Sequence, residues 1–364
     1  MKIAVDCYEA GKHVTGVGRV THSILISLTD ILKEHDFFIL TREPISEYKR
    51  PNVKQSTIPP RRGYFRWQNG PLFRRLKEID PDVFIAPNYT LPFFNRWKSI
   101  LFEHDVSFAS HPEWFSRKES LAKRLIAGRS LKMADIVMTG SEFSKEEIVK
   151  YFRISPEKIR VFSYGVEETF QRSPESQIQE WKRKKGLEGK RIVGYLGAIF
   201  NRRNIPLLVE SVDLLRKEVP MSVLYVVGRD LTRPSQDIEQ ILDKEWIRWD
   251  AQMEEKELPL FYSSLDVFAY LSEYEGFGLP PLEALACGTI PVLLNTSSLK
   301  EIFSDMAIMV NKPHLCLVKQ ALMTAMTEEK KREAILRRFI EKRSIFSWSR
   351  TAQEISKLCQ DMIS

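Results

Sequence analysis

Short apolar runs alternate along this chain with stretches whose apolar residues recur at helical spacing. In the first half, Lys2–Asp6 (KIAVD), Phe37–Thr41, Ser99–His104 (SILFEH), the ADIVMTGS stretch from Ala134 and Lys158–Phe162 read as strands. In the second half, Ile192–Leu196, Val223–Val227, Ile247–Trp249, Leu265–Leu271 and Thr289–Leu294 read the same way. Between them, Ile24, Leu25, Leu28, Ile31 and Leu32 mark a helix, and Glu119–Met133 reads as a basic amphipathic helix. Ser144 is expected to cap the helix KEEIVKYF, with Glu147 closing a capping box. Leu258–Ser264 and Ser349–Met362 predict further helices. Strand, loop, helix and strand in repetition are βαβ units, so the pattern predicts an α/β fold with parallel sheets.

One stretch, Ser263–Ile302, carries the most chemistry. A buried strand leads into a loop holding Gly276, Gly278 and Glu275. Pro280 and Pro281 then suit the first turn of a helix, which is expected to end at Gly288. The loop lies at the carboxyl end of a strand, where ligands of parallel sheets bind. A helix start there offers backbone N–H groups to an anion such as phosphate. Glu275 and Glu283 flank this point. Carboxylates beside a phosphate site accept hydrogen bonds from sugar hydroxyls more readily than they touch the phosphate. The combination points to a sugar nucleotide. Taken singly, Glu275 reads equally as a solvated loop acid and Glu283 as an acid favoured by the helix dipole.

A length of 364 residues predicts two domains, and 43% hydrophobic residues can fill two cores. No run is apolar and long enough for a transmembrane helix, and the first residues read as a strand rather than a signal peptide. Cys7, Cys287, Cys316 and Cys359 show neither metal spacing nor a disulfide framework, which fits a reducing cytoplasm. The net charge of +7 predicts an anionic partner.

Five further features qualify the picture. Gly16 and Gly18 follow the first strand, where a backbone can approach a ligand or simply turn. Tyr48–Lys77 holds nine Lys/Arg and no acid, with Tyr64, Phe65, Trp67 and Phe73 interleaved. Arg61, Arg62, Arg66 and Trp67 are its candidates for contact with an acceptor or an anionic membrane. The plain alternative is a solvated loop whose aromatics tuck inward. No nucleic-acid module surrounds the segment, so nucleic acid is not expected. Asp80-Pro81-Asp82 reads as a turn with two exposed acids, not as a metal site. His104 ends a strand on the ligand edge of its sheet. Arg202 and Arg203 stand at a strand-to-helix turn, where two guanidinium groups can grip a diphosphate.

These residues also carry a resemblance. S-x-Y-E-G-F-G-L-P-x-L-E-A-L-A-C-G-x-x-P-V resembles the donor-binding motif of the large retaining family of GT-B glycosyltransferases, which includes bacterial mannosyl- and rhamnosyltransferases. T-G-V-G-R, H-D at 104–105, A-D-I-V-M-T-G-S, and G-x-I-x-x-R-R-N follow the same family in order, over about residues 2–306. Where the family has a lysine, this chain has Arg203. The resemblance implies two Rossmann-like domains facing a cleft: 1–172 on the acceptor side, a linker at 173–190, and 191–345 on the donor side. It further implies a C-terminal helix, 346–364, crossing back to the first domain. It implies a diphosphate held by Arg202, Arg203, Gly278, Leu279 and Gly16, and donor sugar and ribose held by Glu275, Gly276, Phe277 and Glu283. Glu275 and His104 become the catalytic pair, with His104 near the anomeric carbon. The implied reaction is metal-independent, needs no cofactor and retains anomeric configuration. Its donor is a nucleotide-diphospho-sugar of GDP, UDP or dTDP type, and its acceptor a saccharide or lipid-linked sugar of lipopolysaccharide or similar material. Such an enzyme is expected in the cytoplasm, peripheral to the inner face of the membrane. Two alternatives stand beside it: a phosphate-dependent glycoside phosphorylase and a non-catalytic binder of anionic polymers.

Overall fold

The apolar runs pair side by side into two fully parallel sheets in this computed structural model, which describes residues 1–10, 16–59 and 63–364. The chain divides into two compact units, 1–165 with 345–364, and 166–344. In the first unit the strands are β1 (Lys2–Asp6), β2 (Asp36–Thr41), β3 (Val53–Thr57), β4 (Val83–Ala86), β5 (Lys98–Phe102), β6 (Ile136–Thr139) and β7 (Ile159–Val161). Their order is β3-β2-β1-β4-β5-β6-β7. The second unit holds β8 (Arg191–Leu196), β9 (Ser222–Val227), β10 (Ile247–Asp250), β11 (Val267–Tyr270), β12 (Pro291–Leu294) and β13 (Ile308–Val310), ordered β10-β9-β8-β11-β12-β13. Each order reverses direction once, between β1 and β4 and between β8 and β11. Loops leaving the carboxyl ends of such strand pairs diverge to opposite faces and leave a crevice. This is the Rossmann-like pattern in both units.

One face of the first sheet is sealed by a cluster that includes Ala4, Phe84, Leu101 and Val137, with Trp67, Leu72 and Leu76 packed over it. The segment Tyr48–Lys77 therefore is not a basic loop. It contains the edge strand β3 and a helical stretch from Tyr64 to Ile79 that includes a π-type turn at Gln68–Leu72. Trp67 is fully buried, and its indole N–H donates to the Ile58 carbonyl at 3.0 Å. Removing a buried indole of this kind costs about 3–5 kcal/mol. Trp67 is thus core, not a membrane or acceptor contact. Arg61 and Arg62 lie outside the described residues, and Arg66 is exposed.

Two other expectations need correction. The helix Glu142–Phe152 is capped by Ser141, whose hydroxyl accepts from the Ser144 amide at 3.1 Å, so the cap stands three residues earlier than expected. The stretch 173–190 does not link two bodies. Its helix Glu175–Lys184 buries Ile178 and Trp181 within the second unit, and the indole of Trp181 donates to Glu257 at 2.9 Å. Asp80 is the left-handed end of the helix Phe73–Ile79, where Arg96 and the Trp97 indole donate to it.

Residues 345–364 return to the first unit, where the helix Trp348–Asp361 packs along the helix Gly16–Ile31. Its apolar face buries Ala352, Ile355 and Cys359. The return needs a glycine at 165: a Cβ there would stand 2.4 Å from the Trp348 backbone nitrogen. Among the described residues no helix is long and apolar enough to cross a membrane.

Candidate active site

The crevice between β8 and β11 brings Arg203 and Glu275 of the second unit together. The turn after β8 carries Asn201–Arg203, and Asn204 takes the left-handed conformation at φ 53° to open the helix Ile205–Arg216. The Asn204 amide ties this turn to the loop after β11, donating to the Leu271 carbonyl at 3.1 Å and to Glu273 at 2.9 Å. Arg203 crosses the same gap. Its Nε and Nη2 lie 3.2 and 3.1 Å from Oε1 of Glu275, and its Nη1 donates to the Ala198 carbonyl at 2.9 Å. The Tyr270 hydroxyl donates to the same Oε1 at 3.0 Å. The side chains of Arg203 and Glu275 retain only 11% and 14% exposure. Among the described residues, Oε2 of Glu275 has no partner. One oxygen is fixed three times over, and the other remains open to a donor.

The loop bearing Glu275 is held from behind. The Ser297 hydroxyl accepts from the Glu275 amide at 3.2 Å, and Ser298 donates to the carbonyls of Glu275 and Phe277. Both serines start the helix Ser297–Phe303. Gly278 opens the helix Leu279–Ala286 at φ 112°, with Leu299 and Phe303 too close to admit a Cβ. Pro280 and Pro281 carry no N–H, so the amides this helix start can present to an anion reduce to Gly278 and Leu279. Phe277 is buried under the loop. Glu283, one turn into the helix, is also buried, and its Oε2 accepts from the Tyr262 hydroxyl at 2.8 Å. Arg202 lays its guanidinium over the Phe200 ring at 4.5 Å.

His104 and Gly16 belong to the first unit. Gly16 opens the helix Gly16–Ile31. His104 follows β5 and is buried, with both ring nitrogens engaged. Nε2 lies 2.9 Å from the Pro87 carbonyl, which can only accept, so Nε2 carries the proton. Nδ1 then accepts from the Tyr164 hydroxyl. Burial holds the imidazole down at about 4, so the ring is neutral at neutral pH. Tyr164 in turn stacks on Trp348 at 5.9 Å, so the returning C-terminal segment braces the histidine.

Comparison with known proteins gives the family. The model of "Glycosyltransferase Family 4" matches residues 14–170, and that of "Glycosyl transferases group 1" matches residues 177–341. The chain belongs to the group 1 glycosyltransferases. As a member of that family it is a glycosyltransferase, and its fold is GT-B. It is 25% identical over 287 residues to the O-antigen chain mannosyltransferase B of Escherichia coli, covering 77% of this chain and 75% of that one. It is 26% identical over 274 residues to the serotype-specific mannosyltransferase WbdA of Escherichia coli, and there the match spans 70% of this chain but only 32% of that one. Among solved structures, Anabaena HepE in complex with UDP-glucose superposes with a TM-score of 0.77 at 16% identity, over 99% of this chain and 100% of that one.

Within this glycosyltransferase, the structure brings Arg203, Glu275 and the Gly276–Leu279 loop together, with Glu283 on the helix that the loop opens. Sequence reasoning missed the phenols. Tyr270 ends β11 and Tyr195 lies in β8, and both rings flank Arg203, with Tyr270 5.0 Å from its guanidinium carbon. Only the strand register, which stacks the two rings 5.9 Å apart, reveals that they share a site. Asp6 was likewise read only as the end of a strand. It is buried at the carboxyl end of β1, where Tyr64, Asn88 and the Tyr8 amide donate to it.

Proposed function

We propose that this glycosyltransferase moves a hexose, of mannose, rhamnose or glucose type, from a nucleotide-diphospho-sugar to a saccharide or lipid-linked acceptor of a surface polysaccharide or glycolipid. Mannose is favoured by the names of its relatives, and a nucleotide diphosphate by the UDP-glucose of a protein with the same fold. The observation that carries the reading is Glu275. Arg203 and Tyr270 fix its Oε1 and leave Oε2 to accept from a sugar hydroxyl, three residues before the Gly278 helix start.

In this reading the diphosphate lies against Arg202, Arg203 and the amides of Gly278 and Leu279. Glu283 takes the ribose. As the bond between the anomeric carbon and the phosphate oxygen breaks, the charge on the departing phosphate grows, and preformed cations and amides stabilise it most at that moment. The arginines make a metal unnecessary for this step. His104 is neutral and bonded at both nitrogens, so it is not placed to take a proton. The acceptor proton passes instead to the departing phosphate oxygen as the new bond to the acceptor oxygen forms on the same face, which gives retention.

The test is release of nucleoside diphosphate from GDP-mannose and other sugar nucleotides, with acceptor saccharide present. Arg202→Ala with Arg203→Ala should lower turnover at least ~10²-fold. An unchanged rate defeats the assignment of the diphosphate grip. Binding of nucleotides should raise the melting temperature of the wild type.

A further inference from the structure

Two arginines on neighbouring residues repel each other, and something must hold them side by side. Glu275 does part of this for Arg203. A single aromatic ring serves both. The guanidinium carbon of Arg202 lies 4.5 Å from the centroid of the Phe200 ring, and that of Arg203 lies 5.6 Å from the same centroid. The face of an aromatic ring carries negative potential and attracts a guanidinium without bearing a net charge. A carboxylate in its place would hold the arginines too. It would also offset the positive charge that draws a diphosphate and would repel the diphosphate itself.

Phe200 does not owe its position to deep burial, because it is only half-buried. Its backbone is extended, at φ −112° and ψ 156°, and its carbonyl accepts from the Arg203 amide at 2.9 Å. The residues on both sides of it are bonded to the loop that follows β9. The Ile199 amide donates to the Arg229 carbonyl at 2.9 Å, and the Ile199 carbonyl accepts from the Leu231 amide at 2.9 Å. Oδ1 of Asn201 accepts from the Arg233 amide at 2.6 Å, and its Nδ2 donates to the Pro234 carbonyl at 3.1 Å. These four hydrogen bonds fix the chain before and after the ring. An apolar ring left partly in water on so firm a mount has a purpose in the two cations beside it.

We infer that Phe200 is a positioning residue for the diphosphate grip. Its ring sets Arg202 and Arg203 side by side, charged and already in place, before the nucleotide arrives. This rests on the assignment of the two arginines to the diphosphate.

The test is nucleoside diphosphate binding, measured by titration calorimetry with GDP, UDP and dTDP. For the one that the wild type binds most tightly, Phe200→Leu should weaken binding about tenfold, as for a ring contact with a cation partly withdrawn from water. Phe200→Tyr keeps the ring face and should bind like the wild type. Replacing Phe200 by pentafluorophenylalanine keeps the shape and removes the negative face. It should weaken binding as leucine does, and it decides the matter should Phe200→Leu fail to fold. In an Arg202→Ala background, Phe200→Leu should cost less than about threefold, because the nearer cation is gone and the two effects are not additive. A loss as large in that background as in the wild type overturns the role of Phe200. So does unchanged binding by the fluorinated variant while Arg202→Ala weakens it. Unchanged binding with both arginines replaced, or no binding of any of the three nucleotides by the wild type, sinks the diphosphate assignment and this inference with it.

Discussion

The second unit pairs one of its site acids with a cation, and the first buries its acids against neutral groups. In the second, Glu275 sits against the Arg203 guanidinium and the Tyr270 hydroxyl, and Glu283 against Tyr262. In the first, Asp6 and Glu103 also lie at the ligand ends of central strands, but among the described residues no cation pairs with either. Among the described residues, the donors to Asp6 are neutral, and burial raises its carboxyl to about 6. Glu103 is wholly buried, with no hydrogen bond to either oxygen among the described residues, and burial raises it well above the ordinary carboxylate range. His104 is driven the other way, to its neutral form, by the same burial. The lesson is that the GT-B scaffold here divides its electrostatics. One crevice is charged and suited to a charged donor. The other buries its acids against neutral groups, and its charge depends on pH.

The sharpest way to break this contrast is Glu275→Gln. The change keeps shape but removes the charge that Arg203 holds, and sugar transfer should fall by roughly 10²–10³-fold. Activity within threefold of wild type would mean that the charged crevice is structural. Next in size is the histidine. Folding favours its neutral form, so its contribution is whole above pH 6.5 and is lost as pH falls toward 4. Relative to His104→Gln, the wild type should lose about 3 kcal/mol of stability over that window, measured by denaturant unfolding at each pH. Asp6 reverses the sign. Its neutral form is favoured, so its contribution is whole below pH 3.8 and lost as pH rises through about 6. Relative to Asp6→Asn, the wild type should lose up to about 3 kcal/mol on going from pH 4 to 7, less if water reaches the carboxyl. Flat differences for both variants would erase the distinction between the units.

The strands were legible because buried parallel strands are near-continuous apolar runs, as in Leu265–Leu271. The loop from Glu275 to Gly278 was legible because glycine, proline and acid punctuate it at fixed steps. The edge strand β3 was not. V-K-Q-S-T is polar, its burial pattern is partial, and its flanking charges made the segment read as a basic surface. Trp67 was misplaced for the same reason: composition shows that an aromatic lies among cations, but only packing shows which way the ring turns. Tyr195 and Tyr270 were invisible because they are 75 residues apart and meet only through the β8–β11 pairing. The amphipathic reading of Glu119–Met133 did not tell its faces apart, and the structure turns Ala127 and Leu131 inward.

The crossing of Ile345–Ser364 into the first unit has an effect on the order of assembly. Residues 166–344 form an uninterrupted body that needs nothing from residues 345–364 to close. The earlier body cannot, because the groove along Gly16–Ile31 stays bare until the helix Trp348–Asp361 has been made. Tyr164 and His104 therefore receive their brace last, and the half of the enzyme made first is the half completed second.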